Sequence, residues 1–265
     1  MTALTRPVAE LYRFRELLSL LIGRDLKVRY KRSALGMLWT LLNPLLQMVV
    51  YTLVFSTIMR MGVPGYPVFL LSGLLPWTLI AVSTTSSAFS LLNNQGLIRK
   101  VAVPQAIYPL AVVGSKLVDL LFSLLPLALI ALLVGRTPSL SWLFVIPAVV
   151  LATAFTTGLS LVFSSLTVFF RDMRHLIDIL FQVWFYLTPV LYPASYLEKL
   201  PYPWVRRALE LNPAAPIIRC FQVAIYEGRF PAPATVAAAS VWAGLSLGLG
   251  FAAFQRVQDR HIHYF

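Results

Sequence analysis

The chain is written in long apolar blocks separated by short polar breaks. Five blocks lie at about 38–60, 67–90, 108–134, 142–168 and 235–254, and a shorter one lies at 176–192. About 20 apolar residues in a helix cross the ~30 Å hydrocarbon core of a bilayer. The pattern predicts an all-α polytopic membrane protein with six transmembrane helices. Ahead of the first block, Leu11, Phe14, Leu17, Leu18, Leu21 and Ile22 recur at helical spacing while Arg13, Glu16, Arg24 and Lys27 face away. This reads as an N-terminal amphipathic interfacial helix over 9–32, lying in the membrane plane; a helix packed on a partner protein is the other reading. Residues 193–234 are too polar to span and carry Pro193, Pro201, Pro203, Pro213, Pro216, Pro231 and Pro233. Their amphipathic pieces, WVRRALEL and APIIRCFQVAI, predict short re-entrant outer helices between spans five and six, whose irregular backbone must be covered by protein or water. The resulting organisation is a cytoplasmic interfacial segment (1–37), a six-span domain (38–254) and a cytoplasmic tail (255–265).

Composition agrees with the membrane class. Hydrophobic residues make up 58% of the chain, above the range of soluble domains. The net charge of +12 could suggest nucleic acid, but eight of the 22 basic residues precede residue 33 and abut the first apolar run. That is an anchor on anionic lipid, not a nucleic-acid surface. With the N-terminus inside, inner segments hold 14 Lys and Arg against seven outside, so both termini are expected to be cytoplasmic. The long basic lead has no small-residue cleavage site, and no removable signal peptide is expected. The single cysteine, Cys220, excludes an intramolecular disulfide and a multi-cysteine metal site. His261 and His263 are a weak metal signal, and no metal site is assigned.

Candidate chemistry gathers in FFRDMRHLIDILFQVWFYLTPVLYP (169–193). A charged turn, RDMRH, precedes a run dense in aromatics (Phe181, Trp184, Phe185, Tyr186, Tyr192) and broken by Pro189. A helix facing lipid does not need this aromatic density, so the segment is expected to line a pathway, with RDMRH as its cytoplasmic handle. No G-x-x-x-x-G-K-[ST] occurs, so energy for active transport would come from another subunit or an ion gradient. A gradient needs buried carboxylates, and Asp119 is the one acid well inside a span. Lys116 lies three residues earlier on the same face, and a structural ion pair is expected, although intramembrane charge is also a functional candidate. Asp172 and Asp178 do not share a helical face, and neither G-x-S-x-G nor H-E-x-x-H is present, so no catalytic residue is assigned. Thr153, Thr157, Ser160, Ser164 and Thr167 form one stripe, read as a helix-packing face. Two charged inner segments, NNQGLIRKVAVPQA and FRDMRH, suit docking of a cytoplasmic partner.

DLKVRYKRSALGMLWTLLNPLLQMVVYTLVFS (25–56) resembles the opening of the permease subunit of type 2 ABC exporters for cell-surface polysaccharides: O-antigen, capsule and teichoic acid. FLLSGLLPWTLIAVS, NNQGLIRKVAVPQAIYPLA, the 169–193 stretch and LELNPAAPIIRCFQ are similar to later parts of the same family, in order, from about 10 to 256. The resemblance implies a homodimer paired with two copies of an ATP-binding subunit. ATP and magnesium would belong to that partner, with no cofactor in this chain. It implies a coupling helix in the first cytoplasmic loop, at Gly96, Leu97, Ile98, Arg99, Lys100 and Pro104, and Arg171, Asp172 and Arg174 join it from the charged turn. Spans one and five would border the conduit, at Tyr51, Phe55, Trp184, Phe185 and Tyr186. The segment after span five would form an outer gate, at Pro189, Tyr192, Pro193, Trp204, Asn212 and Pro213. Six helices about 10 Å wide close around little more than side chains, so two copies would share one pathway. The implied substrate is a lipid-linked polysaccharide such as O-antigen, moved across the bacterial inner membrane. A drug or lipid exporter of the same type, and a membrane transferase of glycan assembly, remain alternatives.

Overall fold

The computed structural model describes residues 12–264 except 32, 34, 37, 101–102, 171, 199–200 and 262–263. The described residues form helices and turns without a strand. Helix α1 spans Arg15–Tyr30; α2, Leu38–Tyr51, runs on through a π-helical turn, Thr52–Ile58. Helix α3 spans Tyr66–Ala88, and α4 spans Ile107–Leu133. A short 3₁₀ lead, Leu140–Phe144, opens α5, Val145–Phe169. Next come α6 (Met173–Leu187), α7 (Pro203–Glu210), α8 (Ala215–Phe221, extended by a π-helical turn, Gln222–Tyr226) and α9 (Pro233–His261).

Among the described residues, five helices are long and apolar enough to cross a membrane: α2 with its extension, α3, α4, α5 with its lead, and α9. The sequence pattern placed a sixth span at 176–192. There α6 has 15 residues, about 22 Å at 1.5 Å per residue, short of the ~30 Å core. The reason is local. Thr188 leaves the helix in an extended conformation (ψ 135°), and the following Pro189 disfavours helix at the residue before it.

Helix α3 is the centre. Tyr66, Phe69, Leu70, Leu71 and Ile80 are fully buried on it, and it packs against α4, α5, α6 and α8. Helix α9 crosses α5 at backbone contact: a Cβ at Gly158 would collide with the backbone of Ser246, and one at Gly250 with the backbone of Gly158. Ser246 Oγ seals the crossing by donating to Phe155 O at 2.8 Å. Small residues permit this approach, and lipid offers no hydrophobic drive to replace it. Thr157, Ser160, Ser164 and Thr167 of the hydroxyl stripe are buried here. Thr157 Oγ1 and Thr167 Oγ1 return their hydrogen bonds to Thr153 O and Phe163 O of their own helix.

Helix α1 docks on the first half of α4, where Ile22 lies so close to Gly114 that a Cβ there would strike it. Arg29 of α1 pairs with Asp119, and Lys116 Nζ lies 3.3 Å from the same carboxylate. The expected Lys116–Asp119 pair forms, with a second cation that the sequence pattern did not suggest. Helix α9 continues to His261, past residue 254, because His261 is buried against Phe254 and Phe169 and its Nδ1 lies 2.7 Å from Gln105 Oε1.

Candidate functional site

Helices α2 and α6 lean against α3 without closing on each other, and a groove of about 350 Å³ runs between them. From α2 come Asn43, Gln47 and Tyr51, one residue every four, hence one helical face. From α6 come Asp178, Phe181, Gln182 and Phe185, again one face. Helix α3 supplies the floor: Trp77, Thr78 and Thr85, with Leu74, Ala81 and Val82 between them. The wall is polar toward Asn43 and Asp178 and aromatic toward Tyr51 and Phe185. A second hollow, lined by Thr85, Ser86, Phe89, Asn93 and Asp178, continues it toward the loop after α3.

Of the five residues expected along a conduit, Tyr51 and Phe185 line the groove, and Phe55 and Tyr186 only touch those two rings. The Tyr51 ring lies 6.2 Å from that of Phe185 and 6.3 Å from that of Phe55, and Tyr186 lies 5.3 Å from Phe185. Trp184 is not among the groove's lining residues. It turns the other way, edge-on to Phe155 and Trp77, and its indole N–H donates to Asn212 Oδ1 at 2.9 Å. Of the polar lining residues, Asn43, Gln47, Thr78 and Gln182 were not singled out from the sequence, and Asp178 was weighed there only as a catalytic acid. Their signal was available: amides and a carboxylate at i, i+4 spacing inside apolar runs.

Above α6 the chain makes an irregular hairpin whose carbonyls are taken up by side chains. Asn212 Nδ2 donates to Leu187 O at 3.2 Å, and Gln222 Nε2 to Pro189 O at 2.9 Å. Tyr66 Oη donates to Leu191 O at 2.8 Å, and Tyr192 Oη to Tyr186 O at 3.0 Å. Buried backbone without such partners would cost several kcal/mol per group in hydrocarbon, so these bonds permit a break in the helix at this depth. Of the residues expected at an outer gate, Pro189 and Asn212 are buried; Tyr192, Pro193 and Pro213 are half-buried; Trp204 is exposed on α7. Asn212 ties the hairpin to α6 through Trp184, Leu187 and Thr188 together.

The expected coupling residues fall on the loop between α3 and α4. Gln95–Ile98 is a single helical turn. Ile98 anchors it in a small core with Leu21, Leu91 and Ile107; Gly96, Leu97, Arg99 and Lys100 point outward, and Pro104 is half-buried. Asp172 stands before the first residue of α6, but its carboxylate caps no backbone N–H. Its αR backbone (φ −72°, ψ −8°) departs from the extended geometry a capping aspartate needs, so the charge is free to face outward. Arg171 and the side chain of Arg174 lie outside the described residues.

The facing sides of α2 and α6 thus hold amides, a carboxylate and aromatics around one groove. The family is explicit: residues 16–226 match the ABC-2 type transporter model, and the chain belongs to that family as a multi-pass membrane protein. It is 37% identical over 250 residues to the O-antigen export system permease protein RfbA of Myxococcus xanthus, covering 91% of this chain and 95% of that one. An RfbA of the same description from Klebsiella pneumoniae is 37% identical over 204 residues, 77% of each chain. The polysialic acid transport protein KpsM of Escherichia coli is 22% identical over 241 residues, covering 89% of this chain and 91% of that one.

Proposed function

We propose that this chain is the transmembrane subunit of an ATP-driven exporter that moves a lipid-linked polysaccharide such as O-antigen across the bacterial inner membrane. The groove carries the reading. Sugars present hydroxyls at their edges and apolar C–H faces, and Asn43, Gln47, Asp178 and Gln182 meet the first while Tyr51, Trp77 and Phe185 meet the second. Many weak contacts without a deep apolar trap suit a sliding polymer. The export function named for the 37%-identical relatives supports the same substrate class.

The architecture follows from that reading. Two copies face each other through α2 and α6 and share one pathway, and two ATP-binding subunits, holding ATP and magnesium, dock on the inner loops. Helix α6 with its buried hairpin makes the sixth crossing, α1 lies in the inner interface, and both termini are cytoplasmic. The interfacial segment 1–37, the span domain 38–254 and the tail 255–265 keep those roles. The turn at Gly96–Lys100 with Pro104, and the charged turn with Arg171, Asp172 and Arg174, receive the ATPase stroke. The hairpin with Pro189, Tyr192, Pro193, Asn212 and Pro213, and Trp204 on α7, form the outer gate.

Removal of the chain from its host tests this. Long-chain glycan should vanish from the cell surface and accumulate on its lipid carrier inside. Surface glycan at the parental level would overturn the reading.

A further inference from the structure

Helix α9 is longer than a span needs. Its 29 residues rise about 43 Å against a ~30 Å hydrocarbon core, and its last turns, 255–261, carry Arg256, Asp259 and Arg260. A polar helix end with nothing to hold it frays. The final residue here, His261, is instead fully buried. Phe254 meets its ring edge-on with centroids 5.5 Å apart, and Phe169 lies at the same distance. Tyr264 packs edge-on against Phe169 at 4.9 Å.

Those contacts need only a ring, and phenylalanine would make them. The polar contact is specific to histidine. His261 Nδ1 lies 2.7 Å from Gln105 Oε1, and an amide oxygen only accepts, so Nδ1 carries the proton and donates. Gln105 is 8% exposed, and His261 Nε2 has no partner among the described residues. One buried hydrogen bond therefore sets the orientation and the tautomer of the ring.

Its two ends lie at telling places. Gln105 follows Pro104 in the loop between α3 and α4, whose turn at 95–98 is pinned by Ile98 in a small core. Ala106, Val168 and Phe254 belong to the same core. Phe169 is the last residue of α5, and the charged turn RDMRH begins two residues on. A single side chain thus joins the two loops that the proposed function gives to the ATPase.

We propose that His261 is a positioning residue for coupling. Its bond to Gln105 and its seat on Phe169 hold the loop after α3 and the entry to α6 in one register, so that a push on either moves both. The proposal rests on the reading of those loops as the ATPase contacts.

The test uses the full-length chain with its ATP-binding subunit in host membranes and reads surface glycan delivered per ATP hydrolysed. His261→Phe keeps the ring contacts and loses the donor. It should lower that ratio about threefold to tenfold, the weight of one hydrogen bond, while the ATP-binding subunit co-purifies at the parental level. Gln105→Leu should do the same, and the two together should do no more than either alone, because they remove one bond. His261→Asn, whose amide N–H takes the place of Nδ1–H, should restore the ratio to within about twofold of the parent. A contact that merely holds the fold predicts a different pattern: export and hydrolysis fall together with the amount of assembled complex, at an unchanged ratio. That pattern, or the parental ratio in assembled His261→Phe, overturns the proposal, as do additive losses in the double variant. Should His261→Phe not fold, Gln105→Leu decides by the same ratio. Lys100→Glu on the exposed turn tells the two readings apart. If it lowers the ratio and His261→Phe does not, the clasp alone fails; if neither does, the reading of the loops fails and the proposal with it.

Discussion

Helices α2 and α3 are comparably apolar, yet 78% of the most apolar stretch of α3 is buried inside the chain and none of that of α2 is. Apolarity therefore does not decide which helix becomes the core. In lipid, a leucine is as well solvated by acyl chains as by a neighbour, so burial follows from fit. Helix α3 has Gly73 under the hairpin, where a Cβ would come within 2.9 Å of Gln222 Nε2, and hydroxyls at Ser72, Ser83, Thr84 and Ser87 that need no lipid contact. Helix α2 with its extension instead exposes Leu46, Val49, Val50 and Leu53. Its polar residues, Asn43 and Gln47, face a groove. The packed half holds the shape, and the open half is the one that the proposed function assigns to the substrate.

Substitution in the packed half should break the fold. At the α5–α9 crossing, Gly158→Leu sets a side chain against the backbone of Ser246, which has no rotamer in which to escape. The expected loss exceeds about 4 kcal/mol, the exceptional range for a single change. Gly248→Leu on the same α9, where a Cβ meets nothing within 4 Å, should cost little. Thermal unfolding in detergent measures both, and equal midpoints would show that the crossing does not hold the two helices.

The next largest effect separates neighbours on α6. Trp184 packs on Trp77, Phe155 and Phe181 and donates to buried Asn212. Trp184→Ala should cost about 3 kcal/mol through the cavity it leaves. Tyr186, 56% exposed, should cost less than about 0.5 kcal/mol when changed to Ala, while surface glycan falls. If instead Trp184→Ala leaves the midpoint unchanged, α6 is rotated relative to the geometry described.

Asn212→Ala ranks third. It strips the indole N–H of Trp184 and the carbonyl of Leu187 of their partner at once. Stability should fall by about 2 kcal/mol, and Asn212→Asp, which keeps the acceptor for Trp184 but not the donor for Leu187, should recover part of it.

The order of these effects also marks what could be read from the chain. Spans at 67–90, 108–134 and 142–168 follow from block length, because hydrocarbon thickness acts on any sequence alike. The groove's polar faces were legible too, in Asn43–Gln47–Tyr51 and Asp178–Gln182, once period is sought inside an apolar run. The direction of Trp184 was not. It is set by Asn212, 28 residues later, and by the hairpin that returns the chain to α6. The charge on Arg29 likewise reads as one of a topogenic cluster until α1 folds onto α4 and brings it to Asp119, 90 residues away.

The smallest stability effect should carry the most specific functional one. Asn43 and Gln182 are exposed on facing helices and line one groove. Among the described residues neither has a hydrogen-bond partner that removal would strand, so Asn43→Leu with Gln182→Leu keeps volume and should move the unfolding midpoint by less than the equivalent of ~0.5 kcal/mol. The helices gain apolar surface, which lipid tolerates. A sugar sliding past loses two amide partners, each worth about 0.5–1.5 kcal/mol. Together they should lower the export rate by roughly fivefold to a hundredfold, with ATP hydrolysis by the partner retained. Replacing the same two residues by Gln and Asn respectively preserves the amides at altered reach and should restore most export. Two paths for the polymer then part cleanly. If the double leucine variant exports at the parental rate with the dimer intact, the polymer does not pass between α2 and α6, and the open half of the molecule serves assembly alone. If export falls while Gly248→Leu, on the exposed side of α9, exports normally, the division between a packed scaffold and a polar, aromatic groove holds.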